Sequence, residues 1–95
     1  MRRAAKVDLN QSEIVTALRR VGASVQPLHA VGAGCPDLLV GFRRACFTLE
    51  IKQPKSRERR TPEQIEWHAA WRGHVAVVTN IAEALAAIGV EISAS

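Results

Sequence analysis

The stretch DLLVGFRRACFTLEIK, residues 37–52, decides the fold that we predict for this chain. Residues 38–42 are almost wholly apolar, which is typical of a strand in the middle of a sheet. Residues 43–45 form a short polar connection, and residues 46–52 then alternate between apolar and polar side chains. A period of two indicates a strand, so the whole stretch predicts a β-hairpin.

The alternation in the second strand of this hairpin decides which side chains share a face. Phe47, Leu49 and Ile51 fall on one side, which we expect to face the core. Glu50 and Lys52 are two residues apart and therefore project together from the opposite side. The sheet thus presents a carboxylate and an ammonium side by side.

Helix signals flank the hairpin. Asn10 is a suitable N-cap, with Glu13 as the capping-box partner and Leu9 as a hydrophobic staple. Thr61 with Gln64 gives a second capping box. These signals, with a third cap at Asn80, predict helices over about residues 10–21, 61–72 and 80–88, and further strands at 24–28, 75–79 and 90–92.

The predicted order is therefore α-β-β-β-α-β-α-β, a small mixed β-sheet flanked by helices in the α/β class. Ninety-five residues allow one domain, with a core over about residues 10–92 and a basic tail at 1–7. Hydrophobic residues make up 47% of the chain, which favours a packed core over disorder. No apolar run approaches the roughly 20 residues that span a bilayer, and the basic start resembles no signal peptide. We expect a soluble, cytoplasmic protein without a membrane partner.

The charge of the chain is concentrated in one segment. Residues 52–60 hold five basic residues and one acidic residue, which accounts for the whole net charge of +4. Such a local positive field attracts polyanions, most often phosphate backbones, although it could also be a solvated loop. The candidate nucleic-acid-binding residues of this segment are Lys55, Arg57, Arg59 and Arg60.

Asp37 stands at the entry of the first hairpin strand, with twelve residues between it and Glu50. Because the two strands pair, we expect these carboxylates to lie side by side, next to Lys52. Burying two carboxylates and an ammonium on an apolar sheet is costly without a purpose. Mg²⁺ and Mn²⁺ prefer carboxylate, carbonyl and water oxygens, and either ion activates water for phosphodiester hydrolysis. We therefore expect Mg²⁺ or Mn²⁺ here, with Lys52 acting on the water or on the scissile phosphate.

Pro36-Asp37 followed by Glu50-Ile51-Lys52 resembles the motif of the PD-(D/E)xK nuclease superfamily, whose restriction-endonuclease-like core also runs α-β-β-β-α-β. Within the superfamily, GCPDL at 34–38, EIKQ at 50–53 and TPEQ at 61–64 resemble the virus-type replication-repair nuclease (VRR-NUC) family. The resemblance covers about residues 10–80. It implies an endonuclease that leaves 5′-phosphate ends on DNA, with branched or four-way (Holliday) junctions as substrates.

The resemblance also implies roles for individual residues. Asp37, Glu50 and Lys52 would be catalytic, together with Gln64 of the second helix. The metal ligands would be Asp37, Glu50, the acid Glu13 of the first helix, and the carbonyl group of Ile51.

Other interpretations of these residues stay open. Glu13 and Gln64 each occupy a capping-box position, and Glu50 with Lys52 could be a surface cross-strand pair. The alternative functions are a catalytically silent nucleic-acid-binding module of the same fold, and a nuclease that acts on RNA or on linear DNA. The intact set of Asp37, Glu50 and Lys52 argues against the silent module.

A domain of this size offers little grip on a duplex, so we expect a symmetric homodimer that doubles the basic surface. Trp67 and Trp71 are four residues apart, which indicates core or interface packing ahead of base stacking. His68 lies one turn after Gln64 and could face the same cleft. The dimer contact could come from the two tryptophans or from apolar residues of the third helix (Ile81, Ala84, Leu85 and Ile88).

Overall fold

The order of helices and strands follows the predicted α-β-β-β-α-β arrangement, with one more helix after it. The computed structural model describes residues 2–91, with side chains from residue 10 onward. Within this part of the chain, no helix is long and apolar enough to cross a membrane. The elements are α1 (Arg2–Arg20), β1 (Ser24–Pro27), β2 (Leu38–Phe42), β3 (Ala45–Ile51), a 3-10 turn (Pro54–Ser56), α2 (Pro62–Ala70), β4 (His74–Val78) and α3 (Ile81–Ala87).

The four strands form one mixed sheet in the order β1-β2-β3-β4. β1, β2 and β3 are antiparallel neighbours, whereas β4 runs parallel to β3. A parallel pair needs a crossover, and α2 supplies it between β3 and β4. The predicted small mixed sheet flanked by helices is thereby confirmed.

The β2–β3 hairpin closes through a two-residue turn at Arg43 and Arg44, since Phe42 pairs with Ala45. Both arginines have positive φ, at 50° and 69°. Two-residue hairpin turns adopt this left-handed form because its twist matches that of the strands. The guanidinium of Arg43 lies 4.8 Å from the centre of the Phe42 ring and so contributes a cation–π contact.

The hydrophobic core lies between one face of the sheet and the helices α1 and α3. Leu49 and Ile51 point into it as the alternation predicts, and Phe47 packs at its edge. The opposite face of β3 is covered as well, since Thr48 and Glu50 are only 3% exposed. The core consists of Ile14, Leu18, Ala23, Leu38, Val40, Leu49, Ile51, Val78, Ala84, Leu85 and Ile88.

Two predictions about the helices are wrong. α1 begins at Arg2, so Asn10 and Glu13 lie inside the helix and form no N-terminal capping box. Residues 2–9 contain no Gly or Pro that would end a helix, and the helix continues through them. The apolar face of α3 is the second correction. Ala84 and Leu85, with Ile88 just beyond, belong to the core and supply no dimer surface, whereas Ile81 is 38% exposed.

The other helix signals are confirmed. Thr61 and Gln64 form the capping box of α2, and the Asn80 side chain accepts a hydrogen bond from the Glu83 amide at the start of α3. α2 ends at Ala70, two residues before the predicted end. The predicted final strand at 90–92 extends beyond the described residues; Val90 and Glu91, which are described, belong to no strand.

Candidate active site

The register of the hairpin brings Asp37 next to Glu50. Leu38, the first residue of β2, pairs with Leu49 of β3. Asp37, which precedes Leu38, therefore lies opposite Glu50, which follows Leu49. Asp37 Oδ2 also accepts a hydrogen bond from the backbone amide of Ile51 at 2.7 Å. The main chain of β3 therefore holds the Asp37 carboxylate at the end of the strand that carries Glu50.

Lys52 and Gln64 complete a closed set of contacts with Glu50. The Lys52 ammonium lies 3.7 Å from Glu50 Oε2 and donates a hydrogen bond to Gln64 Oε1 at 3.1 Å. Gln64 Nε2 in turn donates to Glu50 Oε2 at 3.3 Å. Gln64 Oε1 also accepts from the Thr61 amide at 3.0 Å, so one side chain both caps α2 and contacts the acidic pair.

Burial perturbs the pKa of both carboxyl groups, and the charge of Asp37 adds to the shift at Glu50. Burial raises the pKa of Asp37, although its hydrogen bond from the Ile51 amide opposes the shift. Burial first, and then the charge of Asp37, raise the pKa of Glu50 to about 7, against the opposing charge of Lys52. Two carboxylates thus face one nearby ammonium, and the fully ionised cluster is short of positive charge.

The free oxygen of Glu50 fits a cation. Oε1 of Glu50 is buried and has no hydrogen-bond donor among the described residues, which is costly for a carboxylate. A cavity of about 280 Å³ opens beside it, lined by both acids, by the intervening Ile51 and by Lys52. Carboxylate and carbonyl oxygens are the ligands that Mg²⁺ and Mn²⁺ prefer. The donor chemistry at this cavity therefore suits a hard divalent ion.

The contribution of α1 to this cavity differs from the predicted one. Asn10 lines the cavity, whereas Glu13 is exposed and does not. Among the described residues, no three His, Cys, Asp or Glu side chains gather around a possible metal position. A cation held here would therefore take its remaining ligands from amide, carbonyl or water oxygens. The sequence around Asn10 predicted only a cap and gave no signal for a place at the site.

The basic residues after β3 divide into two groups. Arg57 pairs with Glu83 of α3 and also donates to the Val77 carbonyl at 3.5 Å. The Arg60 guanidinium lies 3.1 Å from His68 Nδ1. These two arginines bind the segment to the rest of the fold, and the structure leaves Lys55 and Arg59 exposed.

His68 and Cys35 lie near enough to the site for its charges to shift their pKa values. Burial, and then the charges of Arg60 and Lys52, lower the pKa of His68, which is therefore neutral near pH 7. Its position one turn after Gln64 had suggested this side of α2. Burial, followed by the charges of Glu50 and Asp37, raises the pKa of the Cys35 thiol, which is therefore protonated. The sequence predicted no role for Cys35 at the site.

Gly34 fits the loop before Asp37 against the start of α2. It has φ of +84°, and a Cβ atom there would lie 2.3 Å from the Glu63 carbonyl oxygen and 3.0 Å from the Gln64 amide. A glycine at this position therefore lets α2 approach closely enough for Gln64 to reach Glu50.

No family model, curated protein or solved structure matches this chain.

Proposed function

We propose that this protein is a divalent-metal-dependent endonuclease that hydrolyses DNA phosphodiester bonds, with branched junctions as its substrates. The observation that carries the proposal is the buried oxygen of Glu50 that lacks a donor within the described part of the chain, beside Asp37 and with Lys52 on the same face. A cross-strand surface pair would not be 3% exposed at its acid, nor would it need a second carboxylate. The sequence motif supports the same activity through its resemblance to the VRR-NUC family.

Each residue of the cluster has a distinct task in this reaction. Asp37 and Glu50 would hold the ion, with the Ile51 carbonyl as a further ligand. Bound Mg²⁺ or Mn²⁺ supplies the Lewis acidity that activates water and stabilises the phosphate transition state. Lys52 places a positive charge, and a proton, beside the scissile phosphate. Gln64 fixes the Lys52 ammonium by its hydrogen bond at 3.1 Å.

The substrate backbone would meet the exposed part of the basic segment. Lys55 and Arg59 are exposed and follow directly after the strand that ends in the cluster. Neutralising phosphate charge releases counterions, which gives binding its salt dependence. Arg57, which pairs with Glu83, would act mainly by keeping this segment in place.

A gel assay tests the activity directly. Linear duplex, flap, single strand and four-way junction are incubated with Mg²⁺, Mn²⁺ or EDTA. Asp37→Ala and Glu50→Ala should abolish cleavage and weaken Mn²⁺ binding. Lys52→Ala should remove most of the turnover but spare Mn²⁺ binding, because an ammonium cannot be a ligand. Glu66→Gln, an exposed acid of α2, is the matched control and should cut normally.

Three results would contradict the proposal. Cleavage by Asp37→Ala or Glu50→Ala at the wild-type rate would remove the acids from the mechanism. Loss of Mn²⁺ affinity in Lys52→Ala as large as that in Asp37→Ala would exclude the role given to the lysine. Binding of junctions without cleavage in either metal would favour the silent nucleic-acid-binding module.

A further inference from the structure

A stacked pair of tryptophans lies on the surface of α2, a helix that has no buried residue. The ring centroids of Trp67 and Trp71 are 4.6 Å apart and their planes differ by 18°. Trp71 is nevertheless 44% exposed. Two aromatic rings held parallel at the surface leave apolar area in water, which is typical of an interaction site.

The pair lies on the side of α2 that carries the active-site residues. Gln64, His68 and Trp71 follow i, i+4, i+7 spacing and therefore project from one side of the helix. Trp71 follows the last residue of α2 but keeps this spacing, because its amide donates a hydrogen bond to the Trp67 carbonyl as in a continuing helix. At 1.5 Å per residue, Trp71 lies about 10 Å beyond Gln64 along the axis.

The surroundings of the pair are positively charged. Arg72 follows Trp71 and is exposed, and Arg60 contacts His68 one turn earlier. Glu66 falls on the opposite side by the same helical spacing, whereas Glu63 precedes Trp67 by four residues and shares its side. Arg60 and Arg72 outnumber Glu63 here, so two copies meeting at this face would bring net positive charge together, which is unfavourable. Aromatic rings beside positive charge instead suit a single nucleic-acid strand.

We propose that Trp71, backed by Trp67, stacks against an unpaired base of the substrate strand near the phosphate that is cut. Bases of a continuous duplex already stack on their neighbours, so this contact selects strands that have unpaired nucleotides near the cut. The position of the cut rests on the proposed function, whereas the stacking contact does not need cleavage to occur.

The test measures binding in EDTA, so that no strand is cut. Tryptophan fluorescence is followed during titration with a short single strand, with the same strand built from abasic sugars, and with a blunt duplex. The single strand should quench the fluorescence and bind more tightly than the other two. Trp71→Ala should weaken single-strand binding about 5- to 100-fold and leave abasic-strand binding unchanged.

Two further variants serve as controls. Trp71→Phe keeps an aromatic face and should retain part of the affinity for the single strand. Ile65→Ala removes an apolar side chain that is 51% exposed on the same helix, about 100° around its axis from Gln64, and should change nothing. Circular dichroism and thermal unfolding confirm that each variant is folded.

Wild-type affinity of Trp71→Ala for the single strand would overturn the proposal, as would an equal loss for the single and abasic strands. Conversion of a dimer to a monomer by Trp71→Ala, with single-strand binding intact, would show that the pair is a dimer contact instead. Failure here is distinguishable from failure of the proposed function. Base-dependent binding without metal-dependent cleavage refutes the nuclease alone, and cleavage that ignores Trp71 refutes the stacking contact alone.

Discussion

Glu50 concentrates the electrostatic cost of the site in one side chain. Its side chain is only 4% exposed, its Oε1 atom has no donor among the residues that the structure describes, and its neighbours include another carboxylate and an ammonium. Burial and the charge of Asp37 raise its pKa to about 7. The ionised form is therefore the destabilised one in the protein without metal.

This perturbation predicts a decrease in stability with rising pH. The pKa of Glu50 is about 7 in the folded chain, above its ordinary value of 4.5, so the folded state holds the proton more tightly. The stabilising contribution is complete below about pH 4.5 and is lost as the pH rises through 7. The loss is on the order of 3 kcal/mol. Glu50→Gln should remove it, and raise the melting temperature of the metal-free protein at pH 8.

Thermal unfolding between pH 4.5 and 8 in EDTA checks this expectation, with Glu66→Gln as an exposed control. The decline should persist in the control and flatten in Glu50→Gln. Parallel pH profiles for wild type and Glu50→Gln would show that the carboxyl group is not perturbed. Added Mg²⁺ should stabilise the wild type above pH 7 and have little effect on the Glu50→Gln variant.

At the scale of elements, the placement of α2 governs the site. This helix buries none of its residues, and hydrogen bonds of Gln64 join it to Lys52 and Glu50. The close approach at Gly34 allows those bonds to form. We therefore expect even a small displacement of α2 at this contact to lower the cleavage rate.

Gly34→Ala and Gly32→Ala form a matched pair for testing this contact. Both glycines have positive φ, so both substitutions cost about 1 kcal/mol of backbone strain. Only the Cβ at position 34 meets backbone atoms, since nothing lies within 4 Å of the one at 32. Gly34→Ala should lose a further 1–3 kcal/mol or so by overpacking and about tenfold in cleavage rate.

Melting temperature and cleavage rate, measured on both variants, check the prediction. Gly32→Ala should cut at close to the wild-type rate. Equal losses in the two variants would mean that backbone strain alone explains them and that the loop does not position α2.

The whole molecule measures 38 × 32 × 23 Å, so its longest dimension covers about 11 base pairs of duplex. One cluster and two exposed basic residues after β3 are a small footprint for a branched substrate. We propose that the working form is a symmetric homodimer, which would double this surface and set two sites in opposite orientations.

Sedimentation at micromolar concentration tests the dimer, with and without a four-way junction in EDTA. We expect twice the chain mass of 10.4 kDa for the free protein. A monomer in both conditions would refute the dimer while leaving the cleavage chemistry untouched. The buried residues of α3 are already excluded as the contact, because Ala84 and Leu85 lie in the core.

Local sequence was sufficient for the hairpin and for the same-face relation of Glu50 and Lys52. Residues 38–42 form the predicted strand, and alternation alone fixes which side of β3 faces the core. The sequence also predicted the capping box at Thr61 and Gln64 correctly. These features depend on the strand period of two and on hydrogen bonds between near neighbours, so the order of residues is enough to determine them.

Other features of the site and fold depend on contacts between residues distant in sequence, so only the tertiary structure decides them. The pairing of Arg57 with Glu83, which ties the basic segment to α3, spans 26 positions and carries no local signature. Asn10 is also a good cap, but α1 continues upstream of it, and Asn10 lines the cavity instead. The sequence pattern of an apolar helix side is the same whether that side packs in the core or contacts a partner. Only the packing of α3 against α1 and the sheet shows that its apolar side belongs to the core.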